Sequence, residues 1–428
     1  MITHRRTLLI LALLGFPVPV LAQQQPTPPE YYTLDERGVD LVSGQFTHQA
    51  VDVAIGPADG GLAHSRVWTN GGWRDTLSGT IAVTGSTYVV SFGGVSEVFT
   101  LSGSTFTPVS NNGSTLSQTG STLTFTTSDG TVATYSTAYS GSTTAYAANN
   151  AALIQVRRPN GDQMDFAWDG VTYCRQRRLE PDTGQPAECL QQANAVRVES
   201  VRNNRGYQIN YRYALNTTPL DFQDVEQGWL KRTGAIGINL AVDYCDPFDN
   251  NCTGTRVWPE VTYQSGIYGG SITGVTDQSG RTTTYSYTSG LSGVRLPGQS
   301  SDQITVTYAN GKVSSVTGAT GTWNYAFSDS GSIRTTTATG PQNQQTTVTS
   351  NLSTGRATSV VETVGPGTTR TIGYQYDSQR RVTRVTQPEG NYTQIAYDAR
   401  GNVTTTTQVA KSGSSLANIV TSATYPST

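Results

Sequence analysis

The sequence predicts an all-β protein: an N-terminal β-rich domain followed by a stacked antiparallel β-hairpin array. Three observations carry that prediction. The composition sets 45 Gly and 22 Tyr against two Met, with long Ser/Thr tracts and few helix-forming runs beyond residue 22, which favours many short strands and tight turns. Short alternating segments are punctuated by Gly, Ser and Asn. A fixed spacing of glycine and aromatic residues recurs through the second half.

The first element, 1–22, is a signal peptide by pattern. His4, Arg5 and Arg6 form a positive start, Leu8 to Val20 is largely apolar, and Val20-Leu21-Ala22 is an A-x-A-like cleavage site. The apolar run is broken by Pro17 and Pro19, and no later stretch approaches the ~20 apolar residues a transmembrane helix needs. Expected is an exported chain, secreted, periplasmic or on the outer cell surface, without a transmembrane segment after cleavage. Residues 23–30 (QQQPTPPE) are proline-rich and polar, an extended tether.

Residues 31–144 form the N-terminal β domain. Tyr88 to Phe92, Val98 to Leu101 and Leu123 to Phe125 alternate in strand fashion. Gly-Ser-Thr recurs at Gly85, Gly103, Gly113 and Gly120 and predicts turns between antiparallel strands. The small, polar tract 137–150 marks a boundary or long surface loop.

In the array, 151–428, a glycine is followed by an apolar or aromatic residue five positions on and an aromatic or tyrosine two beyond that. The sets are Gly161/Phe166/Trp168, Gly206/Tyr211/Tyr213, Gly280/Tyr285/Tyr287, Gly367/Ile372/Tyr374 and Gly390/Ile395/Tyr397. Val156, Val201, Val275 and Val385 stand five residues before four of these glycines. A turn centred near the glycine would set the −5 and +5 residues across from each other on one apolar face. A lone hairpin is marginal in water, so such units must stack and bury their rings. Asn310-Gly311 is a two-residue type I′ signal, and Asp277 to Gly280 and Asp398 to Gly401 place Asp first and Gly fourth in a turn.

The four cysteines fall into local pairs, Cys174 with Cys189 and Cys245 with Cys252. An even, paired set in an exported chain reads as two disulfides, and neither spacing has the form of a structural zinc site. The net charge is −2 with three Lys, so there is no basic surface for nucleic acid.

Catalytic constellations are thin. Beyond the leader only His48 and His64 remain, with no Gly-x-Ser-x-Gly elbow, and both read as polar histidines on strand edges. Asp162, Asp165 and Asp169 lie in and after a hairpin turn, where Asp is favoured for local hydrogen bonding. Asp243, Asp246 and Asp249 surround Cys245 and Asn250-Asn251, a solvated acidic loop with no EF-hand spacing. Gly93-Gly94 and Gly269-Gly270 read as turns and not phosphate cradles. No catalytic residue, metal ligand or cofactor is assigned.

Tyr374-Gln375-Tyr376-Asp377, followed 21 residues later by Tyr397-Asp398-Ala399-Arg400-Gly401-Asn402-Val403, resembles the YxYDxxG signature of RHS/YD-repeat proteins, whose period is also 21. Weaker copies stand at Asp277 to Tyr287, Tyr308 to Val316 and Pro388-Glu389-Gly390, and the stretch Gly38 to Trp73 is similar to the region preceding such repeats. The resemblance implies a β-sheet wound into a spiral, which in larger members forms a hollow shell around a C-terminal toxin. It assigns structural roles to the aromatic, glycine and aspartate positions of the sets above, Tyr376, Asp377, Asp398 and Gly401 included. Arg380 occupies the place of the turn glycine after Asp377 and predicts an irregular turn. The implied function is an exported scaffold or shell segment, part of a toxin-delivery shell. Its partner is a protein, or a C-terminal continuation, at the edge of the last repeat. A glycan-binding surface module is the alternative; it requires tyrosines exposed in a row.

Overall fold

The computed structural model describes residues 34–425, apart from 70–71, 94, 110–112, 145–146, 180–185, 249–251, 253–254, 266–270 and 400. The leader 1–22, the tether 23–30, Gly94, Asp249 with Asn250-Asn251, Gly269-Gly270 and Arg400 lie outside the described residues. Nearly all the rest is antiparallel strand and turn; helix is confined to single turns at Thr137–Tyr139, Phe222–Asp224 and Val225–Trp229.

Two sheets form. The smaller joins His48–Ile55, Leu62–Thr69 and Gly72–Asp75. The larger is one antiparallel sheet running from Gly79–Thr84 to Ile419–Ser422, and from Ala151–Arg157 onward each strand pairs with the next in sequence. Strand Ala151–Arg157 also pairs with Val132–Ser136 and, through Ala151 and Ala152, with Ile81 and Thr80. Strands on both sides of 137–150 therefore belong to the same sheet. The sheet does not close into a barrel: among the described residues Ile419–Ser422 pairs only with Val403–Val409.

One turn geometry recurs. At Gly280 the glycine N–H donates to the Asp277 carbonyl (2.9 Å), and the Asp277 N–H donates to the Arg281 carbonyl (3.0 Å). Gly161, Gly390 and Gly401 repeat both bonds. These four glycines have φ between +76° and +90°, the left-handed position that closes a type I turn in a three-residue hairpin loop and favours glycine. The glycine is thus the last loop residue and not the middle one. This corrects the expected register. The residue five before the glycine faces the residue three after it: Val156 opposite Met164, Val201 opposite Ile209, Val275 opposite Thr283 and Val385 opposite Thr393. The residue at +5 instead faces the following strand, Phe166 opposite Val201 and Tyr285 opposite Val294. Gly367 is different, lying in a two-residue Pro366-Gly367 loop between Gly365 and Thr368.

The expected irregularity at Arg380 does not occur. Arg380 takes φ +63° and makes the same two turn bonds, through Asp377 and Arg381. Asn310 and Gly311 both have positive φ between the paired Ala309 and Lys312, as a type I′ turn requires. Gly85, Gly103 and Gly120 each open a two-residue hairpin loop with φ near +60°.

In four of the five sets the aromatic seven residues after the glycine closes the open end of its hairpin. Tyr213 Oη donates to the Val198 carbonyl (2.6 Å), Tyr287 to Ile272 (2.5 Å), Tyr397 to Val382 (2.7 Å), and Trp168 Nε1 to Leu153 (2.6 Å). In each case the acceptor lies 15 residues upstream. The ring packs on the strand face while its polar edge satisfies a backbone group, which is why an amphipathic aromatic suits the position.

Residues 34–78 do not stand apart from this wall. Tyr207 touches Gly56, Val53 and Ile55 meet Gly237, Trp73 Nε1 donates to Tyr287 Oη (2.7 Å), and Val313 N–H donates to the Gly44 carbonyl (2.9 Å). Tyr325 Oη donates to Asp35 (2.5 Å) and Arg334 Nη1 to the Val42 carbonyl (2.9 Å). The segment lies across one face of the sheet from Tyr207–Tyr213 to Ile333–Thr339. Val39, Leu41, Phe46, Val53, Leu62 and Trp68 form one continuous core with the wall residues Tyr211, Tyr263, Tyr285, Trp323 and Val348.

Candidate functional site

A group of buried polar side chains gathers around strand Leu62–Thr69. Ordinary alternation would expose every second residue, yet His64, Ser65 and Arg66 are all buried. The neighbouring strand holds the reason: its register slips between Val51 and Val53, leaving Asp52 as an extra residue in a bulge. A bulge re-aims a side chain, and here Asp52 accepts from Arg66 Nε (2.5 Å) and Nη2 (2.8 Å) and from Tyr263 Oη (2.9 Å) of the wall. Asp75, from the third strand, lies 3.0 Å from His64 Nδ1 and accepts from Arg232 Nη1 (2.6 Å) of the wall. His64 is fully buried; its Nδ1 is 3.2 Å from Tyr211 Oη, and its Nε2 is 3.6 Å from Asp52.

Rings complete the cluster. The Arg66 guanidinium lies 4.2 Å over Trp73 and the Arg232 guanidinium 3.7 Å over Tyr211, contacts that gain strength away from water. A cavity of about 420 Å³ adjoins it, lined by Arg66, Trp73, Asp75, Trp168, Arg232 and Tyr263 among others.

Burial works against ionisation of Asp75, but His64 and Arg232 outweigh it and hold the carboxyl well below the usual carboxylate range. Burial disfavours the charged Arg66, and the Asp52 carboxylate reverses this and raises its pKa. Burial pushes the Tyr211 and Tyr263 phenols well above their ordinary value, with Asp75 and Asp52 respectively adding to the effect. Burial and the nearby Arg66 lower the His48 ring. The arrangement is a set of matched charges, which locks the N-terminal segment to the wall: removing one member of such a buried pair strands its partner and costs roughly 3–5 kcal/mol.

His64 is therefore no strand-edge histidine. It is the centre of the cluster. Asp52, Arg66, Asp75 and Arg232 carried no sequence signal, because they lie on four strands and converge only through the bulge and the sheet-on-sheet packing. Asp162 instead pairs with Arg205 (2.7 Å), Asp165 accepts from Gln155 (2.9 Å), and Asp243 accepts from Trp258 Nε1 (2.6 Å) and the Thr255 and Arg256 N–H groups. Asp162 thus ties its turn to the neighbouring one, Asp165 bonds across its own hairpin, and Asp243 organises its own loop. Cys174 is bridged to Cys189 and Cys245 to Cys252.

The structure also accounts for the repeat residues chemically. In Asp377-Ser378-Gln379-Arg380-Arg381, Asp377 Oδ1 accepts from the Gln379 N–H (2.9 Å) and the Arg381 N–H (3.0 Å), and Oδ2 from Arg381 Nε (2.7 Å). Asp277 makes the same three bonds with Ser279 and Arg281. Asp398 accepts from the Asn402 N–H (2.9 Å) and Nδ2 (2.8 Å). The aspartate thus caps the turn, the residue four later answers it, and the tyrosine before it, Tyr376 or Tyr397, ties the strand end to the Ala357 or Val382 carbonyl. Tyr287, Tyr374, Tyr376 and Tyr397 are half-buried and Tyr213 is buried.

No protein-family model and no curated protein matches the chain. Among solved structures, the TcdB2-TccC3-Cdc42 crystal structure aligns over 78% of this chain and 19% of its own at 10% identity, with a TM-score of 0.38. The Photorhabdus luminescens Tc holotoxin pore aligns over 85% of this chain and 23% of its own at 12% identity, TM-score 0.17. A porin-like protein from Bacteroides uniformis aligns over 71% of this chain and 94% of its own at 10% identity, TM-score 0.21. The chain spans about a fifth of the length of the TcdB2-TccC3-Cdc42 chain.

Proposed function

We propose that the protein is an exported structural component of the RHS/YD-repeat kind, a segment of a β-walled shell that presents or encloses other protein, as in the toxin-delivery shell that the resemblance implies. One observation carries the reading: the capped turns and tyrosine ties recur through the second half and hold successive hairpins edge to edge into one long wall. The N-terminal segment, pinned to the wall by Asp52, Arg66, Asp75 and Arg232, stiffens one face of it. The role is non-catalytic. In support, the cluster carboxylates Asp52 and Asp75 are matched to Arg66 and Arg232, and Asp75 is held ionised, unlike the acid of a glycosidase pair. A carbohydrate-binding surface would present the repeat tyrosines in an exposed row, whereas these rings pack into the sheet face.

The partner at the last described edge is a protein strand or a C-terminal continuation of the chain itself. Ile419–Ser422 is exposed along its whole length, with Ile419 64% and Val420 58% exposed, and among the described residues is paired on one side only. Such an edge is a template for strand addition. Hydrogen exchange on the mature chain tests this, alone and with a synthetic copy of residues 403–409 as a strand donor. Slow exchange at 419–422 in the isolated monomer, unchanged by the peptide and by Val420→Pro, would remove the docking edge. Recovery of the chain from periplasm or medium beginning at Gln23 tests export; retention of the leader in the cytoplasm would refute it.

A further inference from the structure

We infer that the Cys174–Cys189 ribbon is a processing site, cut at the Arg178–Leu179 bond by a trypsin-like serine protease to give a two-chain protein held by its disulfide. The inference is independent of the shell reading.

The hairpin Gln163–Leu179/Pro186–Asn203 is the longest in the molecule. Its base is supported: Tyr173 and Ala195 pack with Val225 and Trp229, and the Cys174 backbone pairs with that of Asp221 in an isolated parallel β-bridge. Beyond Cys174 the described residues of the two strands pair only with each other. Arg175, Gln176, Arg178 and residues 188–192 are exposed. A lone two-stranded ribbon is marginal in water, and this one is also out of register, with shifts at Cys174/Gln176, Gln176/Arg177 and Arg178/Leu179. The last slip falls on the Arg178–Leu179 bond, where Leu179 faces Pro186, a residue with no N–H to donate to the ladder.

Three arginines, Arg175, Arg177 and Arg178, fall within four consecutive positions on this weakest stretch of strand. Between Cys174 and Cys189 the sequence also carries Glu180, Asp182 and Glu188 against these three arginines, so the stretch has no net positive charge with which to act as an electrostatic docking arm. What it offers is an extended, accessible chain with arginine at the cleavage position. Arg205, Arg281 and Arg295, also exposed, are each held by an aspartate, Asp162, Asp277 and Asp302 respectively, at or beside paired turns. Hydrolysis adds one water across the Arg178–Leu179 amide, leaving a carboxylate on Arg178 and an ammonium on Leu179. The disulfide is untouched, and both ends stay attached to the wall.

Limited digestion of the mature, oxidised chain with trypsin is the test. Expected is one early cut, with the product running as a single species without reductant, splitting in two with it, and showing a new N-terminus at Leu179. Arg177→Gln with Arg178→Gln should abolish that fragment pair, and the nicked protein should keep its cooperative thermal transition. A first cut outside residues 174–189, fragments that separate without reductant, or no cut under conditions that digest the unfolded chain would each overturn the proposal.

Discussion

Tyr397 Oη donates to the Val382 carbonyl at 2.7 Å, joining the last residue of one strand to the first of the strand before it. The same tie joins Tyr287 to Ile272 and Tyr213 to Val198. Tyr397→Phe keeps the ring and deletes the donor. A loss of about 1 kcal/mol is expected, the usual worth of a hydrogen bond to a buried backbone group. Equilibrium urea unfolding checks it, with Tyr392→Phe, whose hydroxyl makes no such tie, as the neutral reference.

Arg380 holds φ +63° at a position its counterparts fill with glycine. A non-glycine residue there costs roughly 1–2 kcal/mol, partly offset in the unfolded state because glycine has more freedom to lose. Arg380→Gly should therefore stabilise the chain by roughly 0.5–1 kcal/mol, and Gly390→Ala should destabilise it by a similar amount. Paired denaturation curves decide the sign of each.

Asp75 dictates an acid-side dependence. Its folded pKa is depressed against the net effect of burial by His64 and Arg232, so the unfolded state binds the proton first as pH falls. Its contribution is fully present above the ordinary carboxylate range near ~4 and is lost as pH falls from there toward the lower folded value. Asp75→Asn should lower stability at pH 7 and flatten the decline below about pH 4. Thermal unfolding of both proteins between neutral and strongly acid pH reads both effects.

The tyrosines impose the opposite limb. Burial raises Tyr287 and Tyr308 to about 12 and lifts Tyr135, Tyr211, Tyr263 and Tyr325 as well. Their contribution is complete below the ordinary phenol value near ~10 and is lost as pH rises through the folded values. Tyrosinate absorbance should show a delayed, cooperative step coincident with loss of the β-sheet signal. A smooth titration at the ordinary value, with the fold intact, would contradict the burial of these rings.

Much of the wall was legible in the residues because it is built from local rules. Asp-x-x-Gly fixes a turn through bonds within five residues, and the ring at +7 reaches a carbonyl in its own hairpin. Spacing alone sets the register two positions off, because the glycine closes the loop and does not centre it. Arg380 departs from expectation for a related reason: Asp377 and Arg381 supply enough bonds to hold the turn without glycine.

The sequence by itself determined the strands, the turns and the cysteine pairs, since each depends on neighbours along the chain. Only the tertiary structure decided that residues 34–78 lie against the wall and that Asp52, His64, Arg66, Asp75, Tyr211 and Arg232 meet. That meeting depends on a one-residue bulge at Asp52 and on the packing of one sheet across another. Charges brought together over such sequence distances leave no periodic trace, because what selects them is the cost of burying any one of them alone.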